Sequence, residues 1–261
     1  MSNHGQAGRS GLSRRQVIGG VAAGAAAAWV APELVSVVAR AAASPAPGIM
    51  YGTSNDSNLY VVDTTTGAFS PLIGPTGQSL AWGMTYDSTG GMLYGITTGG
   101  GLLCTVDTGT GAWSGIGATA GIGAVGIAHD SLNDVLYGCG DVGTHATYTV
   151  DRSTGAWTLV GPVGGTPGPT AMAYDAANDV LYGCSRQNTY VVNRATGAWT
   201  LLGATGVSDC WGMTYDPDAD ILYGLGAASS VLCTVDRGTG AWTAVGGLTG
   251  VSFPRSIAYV T

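Results

Sequence analysis

The chain has 261 residues, and from Ser44 onward it carries five Arg (152, 186, 194, 237 and 255), fifteen Asp, no Lys and no Glu, a formal net charge of −10. A surface of that sign repels phosphate backbones and anionic lipid, so nucleic acid is excluded as a partner. Without Lys or Glu, Schiff-base chemistry and Glu-based acid–base catalysis are excluded as well.

Residues 1–43 read as an export signal. Ser13-Arg14-Arg15-Gln16-Val17-Ile18 has the form of a twin-arginine motif, a weakly apolar Gly/Ala stretch runs from Gly19 to Ala31, and Ala41-Ala42-Ala43 offers a small-x-small cleavage site. The apolar run is too short to hold a bilayer well, and Glu33 and Arg40 follow closely. The expected product is secreted or extracytoplasmic, with no transmembrane domain in the mature chain. Residues 44–48 form a short Pro/Ala linker. The remainder suffices for one sizeable core and is short for two ordinary domains.

From residue 49 the chain repeats. Thr-Gly-Ala-aromatic occurs at Thr66, Thr110, Thr154, Thr196 and Thr239, at steps of 44, 44, 42 and 43 residues. A period in that range predicts stacked four-stranded units, a β-propeller. Each unit reads as four strands. Strand A ends in Tyr-Asp or its equivalent (Tyr86-Asp87, His129-Asp130, Tyr174-Asp175, Tyr215-Asp216). Strand B carries Leu-Tyr-Gly. Strand C ends at Asp63, Asp107, Asp151, Asn193 or Asp236. Strand D starts at the aromatic residue (Phe69, Trp113, Trp157, Trp199, Trp242). The repeat opens on a strand B, Ile49-Met50-Tyr51, and closes on a lone strand A, Ser256-Ile257-Ala258-Tyr259. The last strand therefore completes the first blade. Residues 49–261 are predicted to be an all-β, five-bladed propeller with strand A innermost.

Gly126-Ile-Ala-His-Asp130, Leu136-Tyr137-Gly138 and Tyr148-Thr-Val-Asp151 resemble the inner, second and third strands of the bacterial exported propeller repeats of the YVTN and NHL type. The resemblance spans residues 49–261 and implies the fold. It carries over no functional residue.

Most polar residues have a place in the repeat. The strand-C Asp before x-x-Thr-Gly is a turn device, accepting amides two and three residues on. The strand-D aromatics are expected to pack between blades; exposed, they would instead make five sugar-stacking pockets, as in a multivalent lectin. Asp216-Pro-Asp218-Ala-Asp220 imitates the opening of a calcium loop but lacks its Gly and its final acidic ligand, so no metal is expected. Of the five Cys, Cys104 and Cys233 occupy a strand-C Tyr slot in non-adjacent blades. Cys139 and Cys184 follow Leu-Tyr-Gly in adjacent blades, and only Cys184–Cys210 merits testing as a disulfide. No Cys/His cluster suggests zinc, and no cofactor is expected.

Function is sought where the repeat is broken. The start of strand A puts one residue per blade at a mouth of the central channel: Trp82, Val125, Thr170, Trp211 and Arg255. Gln78, Asp209, Cys210 and Phe253 lie beside them, and the B–C loops of that face add Asn55, Asp56, Asp141, His145, Arg186 and Gln187. Two Trp and one Arg suit an apolar or carboxylated small ligand; alternatively the two Trp simply plug the channel. The ligand-binding candidates are Trp82, Trp211, Arg255, Asp209, Asp141, His145 and Arg186. Asp141 with His145 is the sole pair with acid–base potential, and no Gly-x-Ser-x-Gly is present. The expectation is a monomeric, non-enzymatic module that binds a small molecule, glycan or protein. The alternatives are a hydrolase or lyase at the channel mouth and a lectin.

Overall fold

The computed structural model describes residues 48–261 apart from 80, 98–100, 120, 141–144, 166–167 and 229. The export signal, nearly all of the linker and Asp141 lie outside the described residues. Among those described, no helix is long and apolar enough to cross a membrane.

The chain opens with β1 (Ile49–Ser54), β2 (Asn58–Val62) and β3 (Phe69–Pro75). Blade 2 follows as β4 (Ala81–Asp87), β5 (Met92–Thr97), β6 (Leu102–Val106) and β7 (Trp113–Ala118). Blade 3 is β8 (Ala124–Asp130), β9 (Val135–Gly140), β10 (Ala146–Val150) and β11 (Trp157–Pro162). Blade 4 is β12 (Ala171–Asp175), β13 (Val180–Ser185), β14 (Asn188–Val192) and β15 (Trp199–Ala204). Blade 5 is β16 (Cys210–Asp216), β17 (Ile221–Gly226), β18 (Val231–Val235) and β19 (Trp242–Gly247). The last strand, β20 (Pro254–Val260), pairs with β1. Each blade is one antiparallel four-stranded sheet, and blade 1 has the order β20-β1-β2-β3. The ring is therefore closed by the chain's end, as the repeat phase predicts.

Burial falls from the axis outward. β8 is buried along its whole length, because neighbouring blades cover both faces of an inner strand, whereas β7 has a buried Trp113 and then mostly exposed or half-buried residues. The C–D turns form as expected. Asp63 Oδ1 accepts the amides of Thr65 (2.7 Å) and Thr66 (3.0 Å), Asn193 Oδ1 accepts those of Ala195 and Thr196 (both 3.0 Å), and Gly67 supplies φ 78°.

The strand-D aromatics close each blade on its neighbour. Phe69, Trp113, Trp199 and Trp242 are buried and Trp157 is half-buried. Rim rings so enclosed are not sugar-stacking platforms, and the lectin alternative loses its premise. Each ring lies on the strand-B Gly of its own blade, that of Leu-Tyr-Gly or, for Phe69, Gly52 of Met50-Tyr51-Gly52; a Cβ at Gly183 would run into the Trp199 ring. The indole N–H then looks to the preceding blade. Trp199 Nε1 donates to Thr147 Oγ1 and Trp242 Nε1 to Thr189 Oγ1, each at 2.9 Å. Where that strand-C position is Leu59 or Leu103, the Nε1 of Trp113 or Trp157 is buried without a partner. Thr147 Oγ1 also donates to Gly197 O at 2.8 Å. Thr147→Val therefore removes both bonds and is expected to lower stability by about 1–3 kcal/mol in urea denaturation. A loss below about 0.5 kcal/mol, within the range of a neutral surface change, would show that the pair is immaterial.

All five cysteines are buried and none is in a disulfide, Cys184 and Cys210 included. The Cys184 thiol lies against Cys210, and burial pushes its pKa well up, with Cys210 adding to the shift. Asp216, Asp218 and Asp220 point to different partners. Asp216 Oδ1 accepts two turn amides, Asp218 Oδ2 accepts Tyr259 Oη at 3.0 Å, and Asp220 pairs with Arg237. These partners account for the resemblance to a calcium loop.

Candidate functional site

Strands β20, β4 and β16 begin at the same mouth of the channel, and blade 1 lies between blades 5 and 2 in the ring. Their residues Arg255, Trp82 and Trp211 consequently meet. The two indoles stack with centroids 5.1 Å apart at 18°, and the Arg255 guanidinium carbon lies 4.7 Å from the Trp82 ring and 4.0 Å from the Trp211 ring. Arg255 Nε and Nη2 donate to Asn55 Oδ1 at 2.9 and 2.6 Å. Arg255 Nη1 and Trp82 Nε1 are buried with no partner. Desolvation lowers the Arg255 pKa.

Beneath this cap the channel is filled by Gly83, Met84, Gly126, Ile127, Ala171, Met172, Gly212, Met213 and Ile257. About 10 Å³ remains, room for roughly one water. The other two mouth positions contribute no free group. Val125 is buried, and Thr170 Oγ1 donates to the carbonyls of Cys184 (3.0 Å) or Cys210 (2.5 Å).

The remaining candidates do not join the cap through any described contact. Asp209 is held at φ 52° and its carbonyl accepts Ala227 N. Arg186 is exposed, and its carbonyl accepts Cys210 N. His145 is half-buried at the start of β10, with its carbonyl accepting Val163 N. Asp141, its expected partner, is outside the described residues.

A second polar system, missed at the level of sequence, circles the opposite face. Arg152, Arg194 and Arg237 each follow the last residue of strand C. Each bonds the strand-A Asp of the preceding blade and the A–B-turn Asp of its own. Arg152 bonds Asp87 and Asp134, Arg194 bonds Asp130 and Asp179, and Arg237 bonds Asp175 and Asp220. In blades 1 and 2 the same position is Thr64 or Thr108, so the clamp holds three of the five blade interfaces. The signal in the sequence was the pairing of that Arg with a second Asp, 134, 179 or 220, in the same unit.

His129 takes the place of a strand-A Tyr in this network. Its Nε2 lies 3.3 Å from Asp87 Oδ1 and 3.2 Å from Asp134 Oδ1, as the Tyr174 hydroxyl donates to Asp179 Oδ1 at 2.7 Å one blade on. Asp87, His129 and Asp134 thus bring together atoms of the type that ligate a divalent cation. The Arg152 guanidinium already bonds both carboxylates, so a cation would have to compete with a positive charge fixed beside them. Tyr86, His129, Tyr174, Tyr215 and Tyr259 ring a shallow opening of about 110 Å³ at this end. A broader groove of about 580 Å³ lies beside Arg194 and is remote from the capped mouth.

No protein-family model matches the chain, and no curated protein sequence matches it. Solved structures share its fold. A chain of the nidogen/laminin complex has a TM-score of 0.57 at 10% identity, covering 83% of this chain and 99% of that one. A Bacteroides thetaiotaomicron protein of unknown function scores 0.49 at 16% identity, covering 76% of this chain and 50% of that one. Kuenenia stuttgartiensis hydrazine synthase scores 0.46 at 16% identity, covering 62% and 47%. At these identities the likeness to the first is one of fold.

Proposed function

We propose that the protein is an exported, non-enzymatic β-propeller of the bacterial YVTN/NHL-like kind that serves as a binding or surface-interaction module. Its working face is the mouth carrying Trp82, Trp211 and Arg255. The observation that carries this reading is the cap itself. Two stacked indoles under a guanidinium close the axis, leave about 10 Å³ below, and present a preformed aromatic and cationic surface where propeller loops converge. A mouth hydrolase or lyase would need a general acid or base within hydrogen-bond reach of a reacting atom, and no described contact brings a carboxylate or imidazole to the cap. That a chain of like fold belongs to a protein complex, nidogen with laminin, agrees with a binding role.

The test is a thermal-shift screen of the full chain against small molecules of every charge class, with each hit recovered and examined by NMR. Stabilisation that is lost in Trp211→Ala, with the compound recovered unchanged, is the expected result. Conversion of a hit to product would replace this reading with the enzymatic one.

A further inference from the structure

We infer that the channel mouth opposite the Trp cap holds a small quaternary ammonium group within its ring of aromatic side chains. The site lies at the other end of the axis from Trp82, Trp211 and Arg255, and it is independent of the binding-module reading.

The repeat itself makes the ring. In every blade the residue before the last of the inner strand is aromatic, so the fivefold axis gathers Tyr86, His129, Tyr174, Tyr215 and Tyr259 around the opening of about 110 Å³. The same five residues line a further space of about 50 Å³ along the axis, where Met172 and Met213 join them. Both spaces fall well short of the roughly 300–1,000 Å³ that takes a drug-sized molecule, and they suit a compact head group.

Most polar atoms of the ring are engaged elsewhere. The hydroxyls of Tyr174, Tyr215 and Tyr259 donate to Asp179, Asp220 and Asp218, and His129 Nε2 lies within reach of Asp87 and Asp134. What these residues leave for an occupant is mainly aromatic carbon. A phenol that donates to a carboxylate is the more electron-rich for it, which strengthens its attraction for a cation. Arg194, paired with Asp130 and Asp179, already makes such a contact from outside, 5.5 Å from the centroid of the Tyr174 ring. No Asp or Arg lines the opening itself.

The field around the mouth selects the sign of the ligand. Strands A and C both end on this face. It therefore collects twelve of the fifteen Asp and three of the five Arg that follow Ser44, a net −9, against −1 for the rest. An anion is repelled. A calcium or magnesium ion requires oxygen ligands in place of ring carbon. A primary ammonium gives up hydrogen bonds to water that these rings do not return, and a sugar finds the phenol hydroxyls taken. A quaternary ammonium has no hydrogen bonds to lose and carries its charge on a methyl surface, which matches an aromatic cage in a negative field.

The experiment titrates the full chain with tetramethylammonium chloride at constant ionic strength and reads saturation transfer to its methyl signal by NMR. The parallel probes are tert-butanol (a similar shape, no charge) and methylammonium (the same charge, one methyl). Tetramethylammonium is expected to bind, with both others at least about fivefold weaker. Tyr86→Leu and Tyr215→Leu each remove one half-buried ring but keep apolar bulk, and each should weaken binding about fivefold. Tyr86→Phe, which keeps the ring, should restore it. Absence of binding, equal binding of either parallel probe, or binding unchanged in both Leu variants overturns the inference. A loss in Trp211→Ala in place of the tyrosine variants would put the cation at the cap and overturn it as well. If Tyr86→Leu does not fold, Tyr215→Leu carries the test.

Discussion

Removing residues 256–261 is expected to abolish cooperative folding, the largest effect of any change considered. β20 is the innermost strand of blade 1 and packs between β16 and β4, so its loss opens the ring on both sides. Ser256, Ile257, Ala258 and Tyr259 are all buried. The Ile and Tyr side chains alone represent roughly 2–3 kcal/mol of burial each. Their loss also strands polar partners, since Tyr259 N donates to Thr214 Oγ1 at 2.9 Å and Ser256 Oγ pairs with Thr53 Oγ1 at 2.8 Å in the core. Two edges become free, one on β1 and one along the inner wall. The position of the break makes it worse. Blade 1 is flanked by the two interfaces that have no Arg clamp, with Thr64 and Thr108 where Arg stands elsewhere, so the closing strand is the main tie there. Against a domain stability of about 5–15 kcal/mol, the sum is not survivable. Urea unfolding followed by both circular dichroism and tryptophan emission reads the outcome. Coincident transitions with the full chain's m-value would mean that the ring closes without β20.

The architecture was legible because a propeller writes its strands into the sequence at one fixed period. Thr66 to Thr239 set the pitch, and the strand-B start with a strand-A finish set the phase, from which ring closure follows. The meeting of Trp82, Trp211 and Arg255 was legible for the same reason, since equivalent positions in a ring share one mouth. Asp209 and Arg186 share that face by register, yet no described contact takes their side chains to the cap, because register places Cα atoms and not side-chain ends. The Arg clamps were hidden for a related reason. Asp130 ends a strand A at the A–B turn, where its Oδ1 accepts Leu132 N and Asn133 N. Its other oxygen serves the next blade, 64 positions away, and nothing local announces that. The Thr147–Trp199 bond is of the same kind.

Those clamps carry the second large effect. Arg194→Ala is expected to cost about 3 kcal/mol at neutral pH, because it leaves the fully buried Asp130 carboxylate without its cation. The figure sits at the low end for a broken buried pair, since Asn133 still donates its backbone amide and Nδ2 to Asp130. Arg152→Ala should cost less, as His129 Nε2 remains beside the buried Asp87. The sign with pH separates charge from packing. Burial works to raise the Asp130 pKa, but the Asn133 hydrogen bonds and Arg194 outweigh it and the net shift is downward. Asp134, bonded first by Arg152 and then by His129, and Asp220, bonded first by Arg237 and then by Tyr215, are each lowered to about 2. A carboxylate whose folded pKa lies below its unfolded value contributes stability that is full above about pH 4 and is lost as pH falls towards 2. The parent should therefore weaken steeply across that window. In Arg194→Ala the buried Asp130 keeps its desolvation and loses its cation, so it takes up a proton at a higher pH than in the parent. The stability gap between variant and parent should narrow as the medium is acidified from pH 7 to pH ~3. Urea midpoints for both proteins at the two pH values give the gap directly. A gap that stays constant would mean that Arg194 acts through the packing of its aliphatic stem and its stacking on Tyr174, whose ring lies 5.5 Å from the guanidinium carbon, and that the charge contributes little.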